Sequence, residues 1–267
     1  MIAAKRNPAG YRQGPAPSLD RAVFVRPIAH RGWHDKAEGR LENTAPAFCA
    51  AIEKGYGIEC DLQAAEDGTP MVFHDTKLDR LVAASGPIAA YSPRGLARLR
   101  YRGQDERILS FAQFLDLVGG RAPALVEVKR NGRRLNPKFL ENVARLAAAY
   151  KGPVALMSFD RATVAALGEL APAVARGSVI GGRQLLSSLW AGRSRRRESP
   201  AASRLLGSAP VGVGFYAVHT QLVAVARTWM SRRAQDVPLF TWTVRTPRQR
   251  ARAARWADAP IFEGYEA

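Results

Sequence analysis

Short apolar runs alternate along most of the chain with segments whose apolar residues recur at helical spacing, and this alternation is what most limits the possible folds. It is typical of βαβ units, in which helices join parallel strands. The predicted strands cover residues 23–29, 57–63, 124–129, 154–159, 175–180, 212–218, 239–244 and 260–263. The predicted helices cover residues 44–54, 111–118, 137–150, 161–170, 221–234 and 247–256.

Eight strand–helix units within about 240 residues predict an α/β fold of the (β/α)8 TIM-barrel type. A doubly wound parallel sheet is the alternative topology. The unit between Ile180 and Gly212 has the weakest pattern, because an arginine run interrupts its apolar period. We expect one barrel domain over residues 23–267, after a tail at residues 1–22 that is either mobile or placed under the barrel.

The composition excludes several other classes of protein. Hydrophobic residues make up 47% of the chain and charged residues 24%, which argues against a disordered or collagen-like chain. No stretch reaches the roughly 18 apolar residues that cross a bilayer, and the first residues lack the apolar core of a signal peptide. Cys49 and Cys60 lack metal-ligand spacing, and we expect reduced thiols in a cytoplasmic protein.

The formal net charge is +17, and the chain from Gly181 onward contains 14 arginines and five acidic residues. Such a field favours anionic partners, namely phosphate esters, nucleic acid or an acidic membrane surface. The alternative is a solvated arginine-rich surface with no partner. The run Arg193-Ser194-Arg195-Arg196-Arg197 lacks the interleaved aromatic residues of a nucleic-acid stacking groove. The sequence therefore argues against nucleic acid as a partner and allows peripheral contact with an anionic membrane. It does not indicate an oligomeric state.

Two acidic residues, Glu59 and Asp61, lie within the second predicted strand. Side chains alternate along a strand, so both carboxylates point to one face and Cys60 points to the other. Both faces of a barrel strand are buried, and two buried carboxylates need a counter-charge. A bound divalent cation would supply it, whereas the alternative is a surface edge with salt bridges.

The next predicted strand repeats this pattern with Glu127 and Lys129 on one face. Glu127 would be a third oxygen ligand, which suits Mg²⁺ or Ca²⁺ better than zinc. Lys129 would place a positive charge near a phosphoryl oxygen. Taken alone, the two residues could simply neutralise each other; beside Glu59 and Asp61, we prefer the ligand interpretation.

Three of the four histidines lie close together in the sequence, at His30, His34 and His74. His30 follows the first predicted strand and His74 follows another apolar run, so both are expected at the rim where barrel enzymes work. Two histidines beside an acidic pair suit general acid–base catalysis near neutral pH. We interpret His34 and His219 as structural.

Several short motifs follow one another in order between about residues 26 and 245. They are Ala29-His30-Arg31-Gly32, Glu42-Asn43-Thr44, Glu59-Cys60-Asp61, His74-Asp75, Leu78-Asp79-Arg80, Glu127-Val128-Lys129 and Trp242-Thr243-Val244. Each is short, but their combination is specific. Together they resemble the glycerophosphodiester phosphodiesterase family.

The resemblance implies a TIM barrel that cleaves a small phosphodiester, a glycerophosphodiester, to glycerol 3-phosphate and an alcohol. It also implies a divalent cation, Mg²⁺ or Ca²⁺, as cofactor. The residues that it implies are Glu59, Asp61 and Glu127 for the metal, His30 and His74 as the acid–base pair, and Arg31, Lys129, Glu42 and Trp242 for the substrate.

The chain departs from the family pattern at three places. Leu41 replaces the proline of a Pro-Glu-Asn-Thr motif, and Phe262-Glu263-Gly264-Tyr265 stands where the last strand typically ends in Thr-Asp-x-Pro. No role is therefore carried over to the eighth strand. About 35 residues separate His74 from Leu109, so the small domain of many relatives is expected here as a reduced insertion after the His-Asp motif.

Two alternative functions stay open at the level of the sequence. One is a sister activity on the same scaffold, such as a lysophospholipase D or a sphingomyelinase D-like enzyme that releases a cyclic phosphate. The other is a non-catalytic barrel that binds anionic lipid or nucleic acid through its arginine-rich third.

Overall fold

The computed structural model describes residues 17–130, 132, 134–181 and 212–267. Nine strands lie within these residues: β1 (Ile28–Ala29), β2 (Gly57–Ala64), β3 (Pro70–Val72), β4 (Ala124–Val128), β5 (Val154–Ser158), β6 (Ala175–Ile180), β7 (Phe215–His219), β8 (Leu239–Val244) and β9 (Ala259–Phe262). The predicted arginine-rich unit between Ile180 and Gly212, including its run of arginines, lies outside the described residues.

The strands form a closed barrel. Eight of them, all except β3, pair in parallel around the ring, and β1 closes it by pairing with both β2 and β9. Strand β3 adds to β2 in the antiparallel direction. The (β/α)8 barrel predicted from the sequence is therefore confirmed, and the doubly wound sheet is not found.

Helices connect the strands. The described helices are α1 (Arg21–Phe24), α2 (Ala45–Glu53), α3 (Pro93–Leu96), α4 (Phe111–Val118), α5 (Pro137–Ala149), α6 (Arg161–Leu170), α7 (Val223–Ser231) and α8 (Pro247–Trp256). Side-chain oxygens of Ser110, Asn136, Asp160 and Thr246 cap four of them by accepting N–H groups of the first turn. Among the helices described, none combines the length and apolar character needed to cross a lipid bilayer.

Two apolar layers follow from the alternation of side chains along the strands. Leu125, Phe215 and Phe240 belong to the buried cluster inside the barrel. Cys60 and Val126 belong to the layer between the barrel and its helices. The face predicted for Cys60, opposite to Glu59 and Asp61, is thus the helix side.

The first predicted strand, residues 23–29, is mostly wrong. Asp20 accepts the N–H of Ala22 at 2.9 Å and caps α1, so the chain is helical through Phe24. The strand is confined to Ile28–Ala29. Phe24 and Leu19 are buried against the interior cluster, so this segment packs into the end of the barrel from which the strands start.

The reduced insertion predicted after the His-Asp motif is present. It contains a 3₁₀ turn, Ile88–Ala90, and the short helix α3. Its buried apolar side chains include Leu78, Val82 and Tyr101 and form a small cluster of their own. The insertion is therefore a short structured addition to the barrel rather than a separate domain.

Candidate active site

The acidic residues lie on adjacent strands in matching register. Glu59 and Asp61 belong to β2, Glu127 belongs to β4, and the Cα atom of Asp61 pairs with that of Glu127. Glu127 follows Leu125, an interior residue, at the spacing of two that keeps a side chain on the same face. All three carboxylates consequently point into the barrel at the end where its strands finish.

The three carboxylates converge. One oxygen from each of Glu59, Asp61 and Glu127 lies within 4.8 Å of the other two. All three residues are buried, with exposures of 2%, 1% and 8%. Oxygens at this separation can share one small cation.

Cations of the protein neutralise part of this charge. The Lys129 ammonium lies 2.8 Å from Asp61 Oδ1 and 2.7 Å from Glu127 Oε1, and Arg31 Nε lies 3.4 Å from Asp61 Oδ2. Burial alone would raise the pKa of Asp61, but Lys129 and Arg31 outweigh it and lower that pKa. Burial also opposes the charged form of Lys129, yet Asp61 and Glu127 raise the pKa of the ammonium.

Of the three carboxylates, Glu59 has the least compensation of its negative charge by neighbouring cations. Burial and the charges of Asp61 and Glu127 raise its pKa well above the usual value. Burial also raises the pKa of Glu127, and Lys129 offsets only part of that effect. Two of the three carboxylates are therefore destabilised as anions, and a hard divalent cation is the kind of ligand that this set of oxygens fits.

The loop after β1 builds one side of the site. Arg31 has a left-handed backbone with φ 55°, and its N–H donates to Glu59 Oε2 at 2.9 Å. Gly32 follows with φ +77°, and a Cβ at this position would lie 2.9 Å from Ala47 of α2. Only glycine fits this turn, so the motif Ala29-His30-Arg31-Gly32 has a steric basis.

Glu42 and Asn43 orient their neighbours. Glu42 Oε1 accepts Arg31 Nη1 at 2.7 Å, and both Glu42 oxygens accept Arg80 at 2.9 and 2.7 Å. Asn43 Nδ2 donates to Asp61 Oδ2 at 2.9 Å. Glu42, predicted to touch the substrate, is not among the described residues that line the cavity above the carboxylates; the structure places it behind Arg31.

His30 follows β1 and is held by a carboxylate that the sequence analysis missed. Its Nδ1 lies 2.7 Å from Glu263 Oε2, and its Nε2 lies 3.9 Å from Glu59 Oε2. Arg245 Nε donates to the other oxygen of Glu263. Burial lowers the pKa of His30, and the contact with Glu263 opposes this effect without cancelling it.

His74 has a similar set of partners. Its Nδ1 lies 2.7 Å from Asp75 Oδ1, and Arg80 Nε donates to Asp75 Oδ2 at 2.6 Å. The backbone oxygen of His74 accepts Gln63 Nε2 at 2.8 Å. Each histidine therefore has a carboxylate at Nδ1 and an arginine behind that carboxylate, and both histidines line the cavity above the carboxylates.

A cavity of about 260 Å³ lies over these groups. Its polar wall consists of His30, Arg31, Glu59, His74, Glu127, Lys129, His219, Thr243 and Arg245. Its apolar wall consists of Met157, Phe159, Val179, Trp242 and Ile261. The cavity thus combines charged and polar groups with a smaller number of apolar side chains.

Trp242, predicted to contact the substrate, presents its ring to this cavity. Its Nε1–H donates to the carbonyl of Ala217 at 3.0 Å, so the indole N–H is already used. Phe159 and His219 contact the ring edge-on, with centroids 5.4 and 5.2 Å away. Trp242 therefore contributes an apolar surface that is held in place by its neighbours.

Two histidines interpreted as structural lie near the site. His219 lines the cavity, and His34 Nε2 lies 3.7 Å from Glu263 Oε2 without lining it. The sequence analysis also missed Arg245 and Phe159. The only signal for these two residues was their position at the end of a predicted strand, for Phe159, or directly after one, for Arg245.

Comparisons with known proteins agree with the geometry. A model of the glycerophosphoryl diester phosphodiesterase family matches residues 30–262. A protein of Mycobacterium tuberculosis (strain H37Rv), named probable glycerophosphodiester phosphodiesterase 1, is 26% identical over 240 residues, which is 81% of each chain. Glycerophosphodiester phosphodiesterase 1 of Rattus norvegicus is 33% identical over 109 residues, covering 35% of this chain and 32% of its own.

Solved structures share the fold. A phosphodiesterase of Oleispira antarctica, solved in complex with its product sn-glycerol-3-phosphate, superimposes with a TM-score of 0.70 at 19% identity, covering 92% of this chain and 93% of its own. The glycerophosphodiester phosphodiesterase of Thermotoga maritima gives 0.66 at 22% identity, covering 90% and 94%.

Proposed function

The chain belongs to the glycerophosphoryl diester phosphodiesterase family and is a phosphoric diester hydrolase, and from this we propose that it cleaves glycerophosphodiesters to glycerol 3-phosphate and an alcohol. The proposed reaction depends on a divalent cation and on two histidines. The observation that carries the proposal is the convergence of three buried carboxylates and two carboxylate-held histidines at one cavity.

Arg31 and Lys129 bind the phosphate in this proposal. Both line the cavity, and both are already fixed by carboxylates, Arg31 by Glu42 and Lys129 by Asp61 and Glu127. Because these cations are positioned before the substrate arrives, they need little reorganisation to stabilise the charge that builds up on the phosphoryl oxygens.

His30 and His74 move the protons. One imidazole takes a proton from the attacking hydroxyl, which belongs to water or to the glycerol itself, as a bond forms to phosphorus. The other gives a proton to the departing alkoxide as the second phosphorus–oxygen bond breaks, so the protons balance. The contacts at Nδ1 favour the tautomer whose Nε2 is available for this exchange.

Glu59, Asp61 and Glu127 would hold the divalent cation, Mg²⁺ or Ca²⁺. When bound there, the cation would polarise a phosphoryl oxygen and offset developing negative charge.

The decisive experiment is turnover of glycerophosphodiesters by the purified chain with Mg²⁺ or Ca²⁺, followed by phosphorus NMR. Release of glycerol 3-phosphate supports hydrolysis. A cyclic phosphodiester that accumulates as the end product would instead favour the sphingomyelinase D-like activity, and absence of turnover with every divalent ion would contradict the proposal.

Peripheral contact with an anionic membrane and a cytoplasmic location are further parts of the proposal. Helix α8 supports the first, because Arg248, Arg250, Arg252 and Arg255 are exposed and residues 245–257 contain no acidic side chain. The free thiols of Cys49 and Cys60 support the second. Salt-sensitive sedimentation with phosphatidylglycerol vesicles, compared with phosphatidylcholine vesicles, tests the membrane contact.

A further inference from the structure

His34 adds a third metal-binding side chain to the pair formed by His30 and Glu263. One possible ligand atom from each of the three residues lies within 4.8 Å of the other two. Oε2 of Glu263 lies 2.7 Å from His30 Nδ1 and 3.7 Å from His34 Nε2. We call these three residues the histidine–glutamate cluster, and it shares no residue with the group of three buried carboxylates.

The tight turn after β1 brings His34 to this position. Gly32 has a left-handed backbone with φ 77°, and the N–H of Trp33 donates to the carbonyl of Ala47 at 2.9 Å. These contacts fix the turn between the two histidines of the cluster. A residue four positions after His30 therefore reaches the same carboxylate.

The Nε2 atom of His34 is not used by the fold. It is shielded from solvent and has no hydrogen-bond partner among the residues that the structure describes. Its distance of 3.7 Å to Glu263 Oε2 is too long for a hydrogen bond. A shielded polar atom without a partner is unfavourable, and an ion held by Glu263 and His30 would give it one.

Two imidazole nitrogens and one carboxylate oxygen form a ligand set that suits Zn²⁺ better than Mg²⁺ or Ca²⁺. Tetrahedral zinc holds ligands of this kind about 3.4 Å from one another. The measured separations of 2.7 and 3.7 Å from Glu263 Oε2 lie on either side of this value. Small rotations of the three side chains would therefore complete the site, with water as the fourth ligand.

Arg245 leaves one oxygen of Glu263 available. Its Nε donates to Oε1, so Oε2 is the oxygen that faces the two histidines. The positive charge of Arg245 opposes the binding of a cation, but its side chain is about half exposed, and solvent screens the repulsion.

We propose that the histidine–glutamate cluster is an inhibitory zinc site. Zinc binding goes beyond the proposed function, whereas the inhibition rests on it, because it requires that His30 exchange protons at Nε2. A neutral imidazole has one proton and one lone pair on its two nitrogens. When Zn²⁺ takes the lone pair at Nδ1, the single proton of the ring lies on Nε2, which then has no lone pair to accept another. His30 cannot alternate between its two protonation states until the zinc leaves.

The test measures zinc binding and turnover separately on the full chain. Equilibrium dialysis against zinc chloride gives the number of zinc ions per chain and does not depend on activity. Hydrolysis of a glycerophosphodiester at saturating Mg²⁺ or Ca²⁺ is then followed as zinc is added. The variants are His34→Ala, which removes the one ligand outside the proposed catalytic groups, and His219→Ala, which removes a cavity-lining histidine outside the cluster.

We expect His34→Ala to bind one zinc ion fewer per chain than the wild type. The zinc concentration that halves its turnover should rise by at least about tenfold, since loss of even an outer partner of a metal ligand costs about 10- to 100-fold in affinity. His219→Ala should keep the wild-type zinc count and the wild-type inhibition. Additional Mg²⁺ should not relieve the inhibition, because Mg²⁺ selects oxygen ligands.

Equal zinc counts for the wild type and His34→Ala would overturn the site. Bound zinc that leaves turnover unchanged, or inhibition that additional Mg²⁺ relieves, would overturn the inhibitory role, and the second result would place the zinc among the three carboxylates. A chain that binds the additional zinc ion through His34 but hydrolyses no glycerophosphodiester with any divalent ion would support the site. That result would overturn the proposed function and, with it, the inhibition.

Discussion

His30 Nδ1 lies 2.7 Å from Glu263 Oε2, although 233 positions of sequence separate the two residues. The contact exists because β1 and β9 are neighbours in the closed ring, with Ala29 paired to Phe262. His30 and Glu263 each directly follow these paired residues. Closure of the barrel thus gives His30 the same kind of carboxylate partner that His74 has in Asp75.

Replacing Glu263 with glutamine should slow the chemical step. A glutamine side chain can also donate a hydrogen bond to Nδ1, so the preference for the tautomer with Nε2 free is lost. We expect kcat to fall by about 10²-fold, with KM little changed, since Glu263 does not line the cavity. Steady-state kinetics on one glycerophosphodiester measures both quantities.

Glu263→Asp and Glu266→Gln serve as comparisons for that variant. The aspartate keeps the charge and should recover part of kcat. Glu266 pairs with Lys54 at the surface, and its side chain is 62% exposed. Its replacement should therefore leave both kcat and KM unchanged. A Glu263→Gln enzyme with wild-type kcat would remove Glu263 from the mechanism.

Alanine at either His30 or His74 should reduce kcat by about 10² to 10⁴, the usual contribution of a positioned general acid or base. His34→Ala is the matched control, because His34 lies near the same Glu263 carboxylate but does not line the cavity. We expect its kcat within tenfold of wild type. Losses below tenfold for His30→Ala or His74→Ala would contradict a role in proton transfer.

The acidic cluster was predictable because local rules determine it. Alternation along a strand fixes the common face of Glu59 and Asp61, and the order of βαβ units makes the strand of Glu127 the parallel neighbour. The structure adds the register, in which Asp61 lies opposite Glu127. Up to that step, no information from distant parts of the chain is needed.

Glu263 and Arg245 could not be found in this way. Each is a single charged residue after an apolar run, which is also the pattern of a solvated surface residue. Their role depends on closure between the first and last strands, and on a β1 of only two residues. Most of the strand predicted at residues 23–29 is also absent. Val23 and Val25 favour a strand, whereas the Asp20 cap and the burial of Phe24 favour the helix that forms.

Removal of divalent ions should abolish turnover and lower the melting temperature. The three carboxylates have oxygens within 4.8 Å of one another, so their mutual repulsion destabilises the metal-free fold, and a bound cation relieves it. Thermal unfolding with chelator, then with added Mg²⁺ or Ca²⁺, measures the effect independently of activity. An identical melting curve in all three conditions would contradict a metal at this position.

Glu59→Gln separates the repulsion between the three carboxylates from the binding of the cation. Removing one buried charge should leave the metal-free protein at least as stable as wild type, while the rise in melting temperature on adding the ion is lost. Glu66→Gln, which changes an exposed residue of the β2–β3 turn, should keep the full response to the ion. A Glu59→Gln protein that still responds fully would exclude Glu59 as a ligand.

Asp258 should stabilise the fold through contacts far from the cavity. Its Oδ2 accepts the N–H of Leu239 at 2.7 Å and Arg227 Nη2 at 2.8 Å, and Arg21 Nη1 lies 3.4 Å from its Oδ1. Burial would raise the pKa of Asp258, but the N–H of Leu239 and the arginines outweigh it, so the pKa is lowered on folding. Asp258→Asn should therefore cost about 2 kcal/mol of unfolding free energy at neutral pH.

The pH dependence gives this prediction its sign. A carboxyl whose pKa is lower in the folded state stabilises the fold at pH values above its unfolded pKa of about 3.9, and this contribution is lost as the pH falls through the folded value. The difference between wild type and Asp258→Asn should thus be constant near neutrality and shrink below about pH 4. Asp236→Asn, whose side chain is 92% exposed although it pairs with Arg21, should change stability by under about 0.5 kcal/mol. Urea unfolding at pH 7 and at pH 3.5 tests both variants, and a difference for Asp258→Asn that persists undiminished at the lower pH would show that its carboxylate charge is not the source of the stabilisation.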